Sequence, residues 1–351
     1  MSYIKKPRIS HAKLPKNSLG LTRRDYEGGM STLCAGCGHD SVTAAIIEAC
    51  WELSVEPHRI AKHSGIGCSS KTPAYFLSSS HGFNSVHGRM PAIATGVNAA
   101  NRGLKLIGVS GDGDSLSIGF GQFAHALRRN LNMLYLIENN GVYGLTKGQF
   151  SASADLGTKA KKGEVNMQAP IDPVIAGIAL GGTFVARSFS GDKDQLVPLI
   201  KAGMKHRGFA LIDVLSPCVT FNDHETSTKS YAFTRQHYHP IIHTDFIPEQ
   251  SEISATYDKG SAMKVTLHDG TDILLRKVDK AYDPTDKQAA LHTIQENLKD
   301  SEYLTGLLYI DESRPTFHEL NETPDEPLHS LPYERLSPGV KTLQDIMARY
   351  R

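Results

Sequence analysis

Leu104-Lys105-Leu106-Ile107-Gly108-Val109-Ser110 runs directly into Gly111-Asp112-Gly113-Asp114, and Met133-Leu134-Tyr135-Leu136-Ile137-Glu138 runs into Asn139-Asn140. Each apolar run has the length and composition of a strand buried on both faces. If the two are neighbouring parallel strands, Asp112 and Asn140 emerge side by side at the carboxyl edge of one sheet, where ligands of open α/β folds bind. A carboxylate beside a carboxamide suits a hard cation with oxygen ligands, and flanking glycines let the backbone approach phosphate oxygens. Asp112 and Asn140 would supply side-chain oxygens and Val142 its backbone carbonyl. The stretch therefore predicts a Mg2+–diphosphate site. The competing reading, two ordinary turns, is weakened by their pairing and by the tail Asn140-Gly141-Val142-Tyr143-Gly144-Leu145-Thr146.

Further predicted elements extend the alternation. Asp40-Ser41 can cap a helix over 40–53, Arg59–Lys62 reads as a short strand, and Pro91–Asn101 as a small-residue helix packed under a cofactor. Helices over 118–129, 172–180 and 192–206 alternate with strands over 183–188 and 210–215. The fold class predicted is α/β, a doubly wound, mostly parallel sheet with an irregular C-terminal extension. We divide the chain into an N-terminal arm (1–30), a cofactor domain (31–230) and an extension (231–351) for partner contact and shielding. Within the extension, Val265–Leu275 resembles a hairpin around Asp269-Gly270 and 286–298 a helix. The last 35 residues read as a wrapping tail.

Composition narrows the class. A net charge of +1 across 351 residues, from 38 basic and 37 acidic side chains, gives no reason to expect nucleic acid or a charged membrane surface. The basic start (Lys5, Lys6, Arg8) lacks the apolar core of a signal peptide, and no apolar run reaches membrane-spanning length. A cytoplasmic location is expected. The five cysteines, Cys34, Cys37, Cys50, Cys68 and Cys218, are odd in number and argue for metal or redox chemistry over disulfides. Cys50 falls in a helical apolar pattern and reads as packing. The other four sit in loops or at strand ends, where they suit a 4Fe–4S cluster, a tetrahedral zinc, or no common site. His87, in His87-Gly88-Arg89, can reach a phosphate or a substrate carboxylate, or be structural. Lys71, three residues beyond Cys68, is a second catalytic candidate against the alternative of a solvated lysine.

The motifs in combination, Gly111-Asp112-Gly113 with Asn139-Asn140, Cys34-Ala35-Gly36-Cys37-Gly38-His39, Gly65-Ile66-Gly67-Cys68-Ser69 and Ser216-Pro217-Cys218, closely resemble the β subunits of 2-oxoacid:ferredoxin oxidoreductases over about residues 30–235. The resemblance implies a thiamine diphosphate-binding fold, with one 4Fe–4S cluster on Cys34, Cys37, Cys68 and Cys218. It implies Mg2+ on Asp112, Asn140 and the Val142 carbonyl. Thiamine contacts would come from Ile66, Gly67, Cys68, Ser69, His87, Gly113, Asp114, Gly144 and Leu145. Thiamine supplies an electron sink for decarboxylation and the cluster a one-electron acceptor, a role zinc cannot fill. The glutamate that activates thiamine and the coenzyme A-facing domain would reside on an α subunit, which carries a γ-type domain or is joined by a separate γ subunit. The expected assembly is an (αβ)2 heterotetramer that passes electrons to ferredoxin and is inactive without its α subunit.

Thr146-Lys147-Gly148-Gln149 and Phe221-Asn222-Asp223-His224 resemble 2-oxoglutarate-type subunits more than pyruvate-type ones. Succinyl-CoA and CO2 are then the expected products, or the substrates of the reverse carboxylation. The alternatives are a pyruvate or other 2-oxoacid enzyme, a non-redox thiamine decarboxylase, and a non-catalytic zinc-binding assembly subunit.

Overall fold

The computed structural model describes residues 11–158, 163–221, 255–258, 261–266, 272–277, 282–299 and 302–350. The strands are β1 Ile60–Ser64, β2 His81–Asn84, β3 Lys105–Gly111, β4 Met133–Asn139, β5 Val142–Tyr143, β6 Gln149–Phe150, β7 Phe184–Phe189, β8 Phe209–Leu215, β9 Ala262–Thr266, β10 Asp272–Lys277 and β11 Glu302–Ile310. The helices are α1 Gly38–Glu52, α2 Met90–Ala100, α3 Phe120–Arg129, α4 Pro173–Ala179, α5 Lys193–Lys205, α6 Lys287–Lys299, α7 Phe317–Leu320, α8 Tyr333–Leu336 and α9 Gly339–Arg349.

Nine of these strands form one sheet in the order β2-β1-β3-β4-β8-β7-β11-β10-β9. From β2 to β7 every pairing is parallel. Alternation along the strands feeds two cores, one on each face. Ile107, Val109, Leu134, Leu136, Ile212 and Val214 pack with α1 and α5 on one side. Leu106, Tyr135, Ile137, Val185, Phe209 and Leu211 pack with α2, α3, α4 and α6 on the other. Strands covered on both faces need apolar residues at nearly every position, which is why β3, β4 and β8 read as continuous apolar runs. The doubly wound, mostly parallel sheet expected from the sequence is therefore present.

The C-terminal strands reverse direction. β11 runs antiparallel to β7, β10 parallel to β11, and β9 antiparallel to β10. The β9–β10 pair matches the expected hairpin, whose Asp-Gly turn lies outside the described residues, as do Asn222, Asp223 and His224. At the other end of the chain, the backbone nitrogens of Gly28 and Gly29 donate to the carbonyls of Tyr75 and Ala74, and the Tyr26 hydroxyl donates 2.8 Å to the Val55 carbonyl. The part of the arm described thus lies on the main sheet domain. Among the described residues, no helix is long and apolar enough to cross a membrane.

Candidate metal–diphosphate and thiol site

β3 and β4 are hydrogen-bonded neighbours, with Gly111 opposite Glu138, so Asp112 and Asn140 leave adjacent strand ends as their spacing requires. Both line one small open cleft. Its walls hold most of the residues expected there: Ile66, Gly67, Cys68 and Ser69 from the loop after β1, Gly113 and Asp114 from the turn after β3, and Val142 and Gly144 after β4. Leu145 is half exposed and outside the lining. Lys71 lies beyond it, where its Nζ donates 3.4 Å to the Thr32 carbonyl.

Asp112 is buried, and its partners are neutral. Its Oδ2 accepts from the Ser151 hydroxyl and, at 2.7 Å, from the Ser153 hydroxyl, whereas Oδ1 has a 3.5 Å contact from the Asn140 nitrogen. Burial pushes its carboxyl above the ordinary range, against the pull of the two hydroxyls. The Asn140 side-chain oxygen accepts 3.1 Å from the Val142 nitrogen, which folds the two residues onto each other. A buried carboxylate with only neutral partners, beside an amide oxygen, fits a hard cation.

Two residues on, Asp114 plays another part. Its Oδ1 accepts from the backbone nitrogens of Ile66 (3.0 Å) and Gly88 (2.7 Å), and its Oδ2 from the Ser110 hydroxyl (2.7 Å). The His87 Nδ1 lies 2.5 Å from Oδ1, out of line for a hydrogen bond. Asp114 thus clasps the 65–69 and 87–88 loops to the turn after β3. A Cβ on Gly65 would stand 1.8 Å from Asp114 Oδ2, so only glycine admits this seating. The turn itself, 113–118, is a single π-helical turn ahead of α3, a conformation frequent at functional sites.

Of the thiols, Cys68 lines the cleft, beside Gly144. A Cβ on Gly144 would lie 3.4 Å from Cys68 Sγ and 3.7 Å from Cys218 Sγ, so glycine leaves the space both sulfurs face. The Phe221 nitrogen donates 3.3 Å to Cys218 Sγ, and the Thr220 hydroxyl donates 3.2 Å to Cys34 Sγ. All five cysteines are free thiols. Burial raises the Cys37 thiol well above its ordinary range, and burial with the nearby Cys218 raises Cys68 to about 11. Among the described residues no three His, Cys, Asp or Glu side chains close on a single metal-binding point. Cys50 stays apart, buried beside Met204 at 3.9 Å and pushed by burial to about 12, in keeping with its expected packing role.

Several residues in or behind the cleft wall were not singled out as site residues in the sequence. Glu138, the last buried side chain of β4 before the Asn pair, accepts 3.0 Å from the Thr72 hydroxyl, and burial holds it well above the carboxylate range. His39 lies 3.6 Å from it, lowered to about 4 by burial, with Nδ1 2.6 Å from the Ser216 hydroxyl. A glutamate ending an otherwise apolar strand was the available signal for the first. Ser151 and Ser153 had none, since only the β5–β6 hairpin returns them to Asp112.

Comparison with known proteins agrees with this geometry. Residues 65–214 match the family model described as thiamine pyrophosphate enzyme, C-terminal TPP binding domain. Residues 272–325 match the model for the C-terminal part of the pyruvate ferredoxin oxidoreductase beta subunit. The chain is 40% identical over 228 residues to 2-oxoacid:ferredoxin oxidoreductase 2, subunit beta, of Aeropyrum pernix, covering 63% of this chain and 72% of that one. It is 38% identical over 189 residues to the 2-oxoglutarate synthase subunit KorB of Methanocaldococcus jannaschii, covering 54% and 69%. Against three further curated β subunits it spans 65%, 60% and 64% of their length. A solved 2-oxoglutarate:ferredoxin oxidoreductase from Magnetococcus marinus, with 2-oxoglutarate, coenzyme A and succinyl-CoA bound, superposes with a TM-score of 0.69 at 29% identity over 89% of this chain and 90% of that one. By fold and by sequence similarity, the chain belongs to the β subunits of the 2-oxoacid:ferredoxin oxidoreductases.

Proposed function

We propose that the chain supplies the diphosphate-binding and electron-accepting half of a 2-oxoglutarate:ferredoxin oxidoreductase, completed by an α subunit in an (αβ)2 assembly in the cytoplasm. The observation that carries this reading is one cleft with two chemistries: Asp112 and Asn140 at one end, Cys68 in the wall of the same cleft. Asp112, Asn140 and the Val142 carbonyl would hold Mg2+, and the backbone of Gly67, Ser69 and Gly113 would face the diphosphate. Cys34, Cys37, Cys68 and Cys218 would hold a 4Fe–4S cluster. Thiamine diphosphate, when bound, supplies an electron sink for loss of CO2 from a 2-oxoacid, and the cluster supplies a one-electron path toward ferredoxin.

This chain's own part is to bind, orient and exclude water. Asp114 fixes the 65–69 and 87–88 loops that would flank the cofactor, and His87 stands edge-on to the Tyr143 ring of the cleft wall. His87 would contact the cofactor or the substrate, and Lys71 would face the substrate carboxylate. Lys147 is exposed, with a positive φ of 81°, a conformation costly for a side chain and found at ligand-facing loops. A cation there suits the second carboxylate of 2-oxoglutarate, and the substrates named for the Magnetococcus and Methanocaldococcus relatives support that choice over pyruvate.

Anaerobic purification with the partner chain, followed by iron, sulfide and zinc analysis, tests the cofactor assignment. Four irons and four sulfides per chain are expected, whereas stoichiometric zinc with neither overturns it. The substrate is tested by kcat/KM, expected to favour 2-oxoglutarate over pyruvate by about tenfold or more.

A further inference from the structure

We propose that Arg187, Asp213, Asn139 and Ser153 form a buried positioning chain that sets how Asp112 faces the cation, and that the C-terminal segment reaches this chain through Tyr303. The inference rests on reading Asp112 as a metal ligand. Arg187 is 1% exposed, deep in the sheet. Its Nη2 donates 2.6 Å to Asp172 Oδ2 and its Nε donates 2.8 Å to Asp213 Oδ2. Asp213 Oδ1 in turn accepts 3.0 Å from the Asn139 amide nitrogen. An ionised carboxylate only accepts, so it fixes the Asn139 amide with its nitrogen toward Asp213 and its oxygen toward Ser153. There the Ser153 hydroxyl has one proton and two close acceptors, Asn139 Oδ1 at 2.9 Å and Asp112 Oδ2 at 2.7 Å, with Ser151 Oγ a longer contact at 3.1 Å whose own proton goes to Asp112.

The order of donors and acceptors along the chain therefore decides how much of that proton Asp112 receives. With Asp213 ionised, Asn139 draws part of it away, and Asp112 keeps more of its charge for a cation. An amide at 213 reverses the chain. Arg187 would claim the new side-chain oxygen and the new NH2 would face Asn139, which must flip and present its own NH2 to Ser153. Ser153 then accepts from Asn139 and commits its proton to Asp112.

Tyr303, on β11, lies with its ring 5.4 Å from the Arg187 guanidinium. It gives the C-terminal strands a contact with the line of residues that ends at Asp112, although no described residue of those strands lines the cleft.

The test uses the complex purified with its partner chain, stripped with EDTA, and reads the Mg2+ concentration that half-restores thiamine diphosphate binding by calorimetry. Asp213→Asn is expected to raise that concentration about tenfold, the scale of outer-shell changes at metal sites. In a Ser153→Ala background the same substitution is expected to move it by less than about twofold, because the link is gone. Ser153→Thr, which keeps the hydroxyl, is expected to restore the sensitivity. Should Asp213→Asn fail to fold by circular dichroism, Tyr303→Leu replaces it in the same cycle, with an expected change of about threefold. A neutral Asp213→Asn, or equal effects in both backgrounds, overturns the chain. Failure of the wild-type complex to bind Mg2+ and thiamine diphosphate overturns the reading of the site itself.

Discussion

The two ends of the cleft are built differently. At the Asp112–Asn140 end, the two residues leave neighbouring strands whose register is fixed by the sheet, and each is tied in place by hydrogen bonds within the chain. At the thiol end, four sulfurs come from a loop before α1, the loop after β1 and the segment after β8, and no three described ligands converge on one point. A site made by sheet register is present before its ligand arrives. A site made by loops is finished by what it binds.

That difference can be broken experimentally. Cys68→Ser should have the largest effect, abolishing iron and sulfide incorporation, while Mg2+-dependent thiamine diphosphate binding weakens by less than about tenfold. Asp112→Ala should do the converse, weakening that binding by about a hundredfold or more with iron content unchanged. If either variant empties both ends, the halves are not independent and the contrast fails.

Asp114→Asn should fall in between. It replaces one acceptor of a clasp that holds loops from both ends, so a loss of about tenfold in thiamine diphosphate binding is expected together with partial loss of iron. An effect confined to one end would remove Asp114 from its bridging role. Gly144→Ala is the mildest change. Its methyl would stand 3.4 Å from Cys68 Sγ, at the tight edge of ordinary contact, and should cost about 1 kcal/mol in cluster retention, measured as faster iron release to a chelator. Release at the wild-type rate would show that the sulfur has room to shift.

The sequence was most legible where one local pattern determines one structure. The apolar runs of β3, β4 and β8 announce strands covered on both faces, and their polar ends announce the edge where Asp112 and Asn140 meet. Cys50, inside the pattern of α1, was separable from the other four by the same logic. What stayed hidden depended on the return of the chain. Nothing near Ser151 or Ser153 points to Asp112, thirty-nine and forty-one residues earlier. Asp114 was expected as a thiamine contact through the resemblance alone, and its hydrogen bonds to Ile66, Gly88 and Ser110, which come from three separate segments, had no signal in the sequence. Arg187 and Asp213 sat in apolar strands as isolated charges, and only pairing of β7 with β8 makes them partners.

The antiparallel seam between β7 and β11 has a consequence for the order of assembly. Val185 pairs with Tyr309, so the edge of β7 has no partner until most of the chain has been synthesised. The six parallel strands and the turns bearing Asp112 and Asn140 are all translated earlier, and N-terminal parts generally fold first. Tyr303 reaches Arg187 only with the last strand of the sheet. A truncation just before β11 would leave every residue of the cleft in the polypeptide and an open row of backbone donors and acceptors along β7, the kind of edge that recruits other chains. The strands that stand away from the cleft keep the cleft-bearing sheet to itself.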